Sequence, residues 1–239
     1  MLKDTELKHL TSSKTIDPIS GEIRVRYYWK RKPLPQVRLE GILAEQLAGY
    51  TLIEKDLKNV VGWMKHAESL VPAGHFKEEL NYKRSENREV FDLIKGLFVA
   101  SLVFYAKAFS PSEARRAQLS RNSLDSRFRE QHDFYLQFRH SFAAHSGSEK
   151  VELARTYCLL FPNKHRTIEP MLAIARLQPD IALPKPNDIG LSELAVHAIE
   201  IANKKFDKLS DKIMKEHILL LDKEILYKSA KRGQKIVLR

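Results

Sequence analysis

Cysteine is almost missing from this chain, and with it most of the chemistry that cysteine allows. The single copy, Cys158, cannot close an internal disulfide, and no run of Cys and His has the spacing of a structural zinc site. The expectation is a protein held by its core alone, with no metal and no cofactor, in a reducing cytoplasm. Glycine and proline are also scarce, at 9 and 10 residues of 239. With 30% charged residues, this favours long helices over a turn-rich β protein. The longest apolar run, Gly96 to Ala106, is too short to span a bilayer at about 1.5 Å per residue and has lysines on both sides. Met1 to Leu10 is charged throughout, against a secretory leader, so the chain reads as soluble and without a membrane partner. There is no internal repeat, Walker loop, Rossmann glycine pattern or nucleophile elbow.

Positive charge is present in excess: 41 Lys+Arg against 30 Asp+Glu, a formal net charge of +11. Such a balance points toward anionic partners, whether RNA, DNA or an acidic protein. A hydrophobic fraction of 43% is enough for one sizeable core.

Residues 1–38 stand apart as a basic, aromatic extension. Pro18, Gly21, Pro33 and Pro35 punctuate a β-prone stretch from Glu22 to Lys30, which predicts a hairpin or an edge strand. In it Arg24, Arg26, Lys30, Arg31 and Lys32 interleave with Tyr27, Tyr28 and Trp29, the residue types that pair phosphates and stack bases in single-stranded nucleic-acid sites. The same pattern fits a basic edge strand docking its aromatics on a helical core.

From Glu40 the period becomes helical. Leu43, Leu47, Tyr50, Leu57, Val61 and Met64 predict a helix that stops near Pro72. Phe91, Ile94, Phe98, Ser101 or Leu102, Tyr105 and Phe109 predict a central core helix. Pro111 to Ser120 reads as a short basic helix or loop carrying Arg115 and Arg116 toward RNA, or as a solvated connector. Asn122 or Ser123 is expected to cap a third helix with Leu124, Phe128, Tyr135, Phe138 and Phe142 inward and with His132, Leu136 and Arg139 on the neighbouring stripe. A β-hairpin is expected over about 150–178, with Pro170 interrupting its second strand, then a last long helix inward through Leu191, Leu194, Ala198, Ile201, Phe206, Leu209 and Ile213. Lys228 to Arg239, basic without an acid, reads as a mobile tail. The expected organisation is an extension over 1–38, a helical domain over 39–227 and a tail over 228–239, mainly α in class.

One segment carries legible chemistry. Arg139 and His145 stand where the third helix runs out into Ser146-Gly147, and an arginine fork with a proton-moving histidine suits attack on a phosphodiester. His132 lies one heptad before Arg139, and Val99 to Ser110 with Arg115, Arg116 and Leu119 precede it. This order resembles the Arg-x(4–6)-His signature of HEPN domains over about residues 40–150. The resemblance implies a HEPN-like helical bundle and a metal-independent endoribonuclease of toxin or defence type, acting as a homodimer in which both copies of the pair converge. His145 would take the proton of a ribose 2′-OH and Arg139 would stabilise the phosphate, with His132 and His140 candidates for a second proton transfer or for orienting His145. These families often carry Asn after the arginine, where this chain has His140. That departure favours the alternative, a non-catalytic HEPN-like module for RNA, nucleotide or a partner protein, such as an acidic antitoxin or regulatory protein.

Overall fold

The computed structural model describes residues 8–21, 23–70, 88–113, 115–140, 153–162, 169–177 and 189–238. Among them are five α-helices, α1 (Ile42–Leu70), α2 (Arg88–Phe109), α3 (Ser126–Phe138), α4 (Leu191–Ile213) and α5 (Lys223–Arg232). Seven strands accompany them: β1 (Leu10–Ile16), β2 (Ile23–Trp29), β3 (Lys32–Pro33), β4 (Arg38–Glu40), β5 (Leu153–Leu159), β6 (Met171–Leu177) and β7 (Lys235–Val237). The chain divides into two compact units, Ala48–Asp207, and Met1–Leu47 with Lys208–Arg239.

In the unit Ala48–Asp207 the helical period decides what is buried. On α1, Ile53, Leu57, Val60, Met64 and Ala67 fall three or four residues apart and are all buried. Ile94, Phe98, Leu102 and Tyr105 do the same on α2, and Leu191, Leu194, Ala198 and Ile201 on α4. Aromatic edges lock these helices together: Trp63 meets Phe104 at 4.8 Å and Phe98 meets Phe138 at 5.8 Å between ring centroids. The loop after α2 is part of the core, since Ala117 and Leu119 are buried and the Leu119 amide donates to the Ala108 carbonyl. β5 and β6 form the expected antiparallel hairpin, with Leu159 opposite Met171 at the turn end. Pro170 falls just before β6 and so interrupts nothing.

The other unit is where expectation and structure part. β1, β2 and β3 make an antiparallel sheet in the order β1-β2-β3, and β4 pairs in parallel with β7. The fold is therefore mixed helix and sheet, mainly helical but with three separate small sheets among the described residues, and not the mainly α bundle with one hairpin after the third helix and a short β-prone N-terminal extension that the sequence led us to expect. Strands of two and three residues, such as β3, β4 and β7, are too short to show any period, and β1 is too polar to read as a strand. The C-terminal residues are no mobile tail. Asp222 caps α5 by accepting the Glu224 amide at 2.9 Å, Gly233 ends it in the left-handed region at φ +63°, and β7 returns to the N-terminal side of the unit. There Leu238 is buried and its amide donates to the Glu40 carbonyl at 2.7 Å. A charged register supports the pairing, with Lys235 Nζ 2.7 Å from Glu40 Oε1. Gly41, at φ +99°, fits only as glycine, because a Cβ would lie 2.1 Å from the Leu238 carbonyl oxygen.

Candidate nucleic-acid interface

A strand turns successive side chains to opposite faces, and directly paired antiparallel residues share a face. The register sets Thr11 opposite Tyr28, Ser13 opposite Arg26 and Thr15 opposite Arg24. One face of the β1–β2 ribbon is thus a row of Arg24, Arg26 and Tyr28 beside a row of three hydroxyls. All of these are exposed except Tyr28, which is half-buried, with Ser13 Oγ 3.4 Å from its hydroxyl and Pro33 opposite it in register. The other face carries Leu10, Ile16, Ile23, Val25, Tyr27 and Trp29. Period two therefore separates Tyr28 from Trp29, which the sequence had grouped. Trp29 is half-buried, its indole N–H is buried with no hydrogen-bond partner among the described residues, and Lys30 Nζ lies 4.5 Å from its ring centroid.

Between β2 and β3 the chain reverses in two residues, Lys30 at φ +48° and Arg31 at φ +65°. This is a type I′ geometry, which Asn-Gly adopts at little cost and two long cationic side chains do not. The far edge of β2 is closed: Gln36 Nε2 donates to the Val25 carbonyl at 2.7 Å and the Leu34 amide to the Tyr27 carbonyl at 2.8 Å. At the other end of the face Asp17 takes the Ser20 and Ile19 amides on Oδ1, which holds its carboxyl below the usual range, and its Oδ2 lies 3.7 Å from Arg24.

The remaining candidate residues are dispersed. Arg115 does not face solvent. It is 6% exposed and donates to Asp56 Oδ2 at 2.6 Å, an acid that is itself 2% exposed and also meets Lys107 at 3.1 Å. Arg116 is exposed in a left-handed conformation at φ +50°. Arg139 continues the helical backbone at the end of α3, half-buried, with a buried Nε that has no hydrogen-bond partner among the described residues. His140 beside it is exposed, and His145 lies outside the described residues. Asn122 and Ser123 sit in a 3-10 turn and do not cap α3, whose N-cap is Asp125.

His132 belongs to the core. It is 2% exposed, its Nδ1 is 2.8 Å from the Tyr105 hydroxyl, and its ring lies 4.4 Å from that of Phe109. Burial lowers its pKa from the ordinary 6.5, against an opposing pull from Asp133, and burial likewise raises that of the Tyr105 phenol. A folded-state pKa below the unfolded one means that both states are neutral above pH 6.5, whereas below it the unfolded chain takes up a proton that the folded one resists. Stability should therefore fall as pH drops through 6.5, by at most about 1.4 kcal/mol per unit. Urea unfolding of the wild type and His132→Gln between pH 7.5 and 5 would show this, with the pH slope shallower in the variant. Equal slopes would mean that the imidazole charges freely in place.

Sequence reading missed His197, which stacks on Phe128 at 4.1 Å and accepts the Asp125 amide at 3.2 Å on Nε2, supplying part of the start of α3 from a residue 72 positions away. Among the described residues no group of three or more His, Cys, Asp or Glu is placed to hold a metal ion, and no helix is long and apolar enough to cross a membrane. No family model matches the chain, and neither a curated protein nor a solved structure matches it.

Proposed function

We propose that the protein binds RNA through the β1–β2 face. The observation that carries this reading is the sharing of one open sheet face by Arg24, Arg26 and Tyr28 with three hydroxyls, in a chain of net charge +11. Guanidinium groups hold phosphates with two donors each, the phenol ring offers a base a stacking surface, and hydroxyls can bond a ribose 2′-OH. The strained Lys30-Arg31 turn adds to the field at one end of the row.

Affinity measured by fluorescence anisotropy should fall linearly on a log–log plot as salt rises, since released counterions drive the binding. Replacing Arg24 and Arg26 by Gln should reduce that slope by about two and weaken binding similarly for all sequences, whereas Arg115→Gln should leave the slope unchanged. RNA binding that ignores salt, or none at all, would move the reading to an acidic protein as the partner of the basic surface.

The Nε of Arg139, without a hydrogen-bond partner among the described residues, favours a second reading in which bound RNA is also cut, by 2′-OH attack with Arg139 on the phosphate and His145 as base, two copies of the chain completing the site. Intact RNA after long incubation in the same binding mixtures would count against it.

A further inference from the structure

We propose that the RNA on this face is a single strand lying along β2, with Arg24 and Arg26 on neighbouring phosphates and a base stacked on Tyr28. This rests on the RNA-binding reading and narrows its substrate class. Alternate residues of a strand are about 6.8 Å apart, a spacing close to that of successive phosphates in an extended single strand. Arg24 and Arg26 are such alternate residues, both exposed on one face, so two guanidinium groups meet two consecutive phosphates without bending the chain.

Tyr28 is the next position on that face, and there the chemistry changes from charge to a ring. A duplex has nothing to give that ring, because its bases are already stacked on one another. A single strand has a free π-face on every base. Pro33 opposite and Ser13 at 3.4 Å limit the freedom of the phenol, so little ordering remains to be done on binding. The hydroxyl row of Thr11, Ser13 and Thr15 runs parallel to the basic row, one strand spacing away, where ribose hydroxyls of the same strand would fall.

The two ends of the row differ, which fixes its length. Past Tyr28 the row stops at the Lys30-Arg31 turn, since Lys30 Nζ lies over the Trp29 ring and Lys32, paired with Trp29, belongs to the opposite face. Past Arg24 the Asp17 carboxylate, 3.7 Å from the guanidinium, opposes a further phosphate. A footprint of about three to five nucleotides follows, at the short end of what a single-strand-binding sheet covers.

The test compares one labelled RNA oligonucleotide alone and annealed to its complement, at fixed low salt, against the full chain. The single strand should bind at least about tenfold more tightly than the duplex. Tyr28→Ala should weaken single-strand binding by about 5- to 100-fold and leave duplex binding unchanged. Tyr28→Phe should retain most of the wild-type affinity, and Tyr27→Ala, on the opposite face, should retain all of it. Duplex binding as tight as single-strand binding, or an equal loss of both forms in Tyr28→Ala, would overturn the single-strand assignment while leaving RNA binding intact. Absence of binding to either form would overturn the RNA-binding reading itself.

Discussion

Asp56→Ala should cost about 3–5 kcal/mol of stability, a large part of the roughly 5–15 kcal/mol that holds a domain folded. The carboxylate is almost fully enclosed and meets Arg115 at 2.6 Å, Lys107 at 3.1 Å and Lys55 at 3.7 Å. Lys55 and Lys107 are mostly exposed and can turn to water once the acid is gone, but Arg115 is 6% exposed and cannot. The cost arises from that stranded guanidinium more than from any intrinsic strength of the pair. Two further variants separate the terms. Asp56→Asn keeps an acceptor for Arg115 and should cost less. The double replacement Asp56→Leu with Arg115→Met removes both charges and should recover much of the loss. Urea unfolding followed by circular dichroism measures all three, and a double variant as unstable as Asp56→Ala would mean that the site depends on the ion pair itself.

Gly49→Ala should lower stability by about 1–3 kcal/mol, although alanine is the better helix former. Gly49 is buried on α1, and a Cβ there would lie 2.1 Å from the Arg115 carbonyl oxygen and 2.7 Å from the Ala117 Cβ. The obstacle is backbone, so relief requires the loop after α2 to move, and Arg115 with it. Gly62 on α1 and Gly96 on α2 provide the opposite case, with nothing within 4 Å of an added Cβ. Their alanine variants should gain about 0.4–1 kcal/mol by narrowing the unfolded ensemble. Thermal unfolding of the three single variants tests the sign at each site. A Gly49→Ala protein as stable as those with alanine at 62 or 96 would show that the contact between α1 and the loop yields without cost.

Sequence made some of this architecture legible and hid the rest for identifiable reasons. The inward stripes of α1, α2 and α4 repeat every three or four residues over long helices, so Leu57, Phe98 and Leu194 could be placed without coordinates. The β5–β6 hairpin showed itself as two apolar runs around a turn. His132 is four residues from Leu136 and seven from Arg139, which suggests their stripe, but the same spacing also fits the buried stripe, where the structure places it. It lies four residues after Phe128 and three before Tyr135, both buried, and a hydroxyl from α2 satisfies it. Arg115 appeared to be an RNA contact because its acid is 59 positions away. In the candidate interface, period two alone separates Arg24, Arg26 and Tyr28 from Trp29, but the hydroxyls facing them depend on β1, whose polar sequence announces no strand.

The parallel pairing of β4 with β7 has a consequence for the time at which its unit can close. Residues 38–40 leave the ribosome long before residues 235–237, so the two strands of this pairing are made far apart in time. The unit Ala48–Asp207 can acquire its native contacts while translation continues. The unit holding the basic sheet must wait for residues 235–238 to seat Leu238 beside Gly41. The nascent chain therefore carries the β1–β2 ribbon before the unit around it can close, and residues 235–238 decide whether that unit is finished.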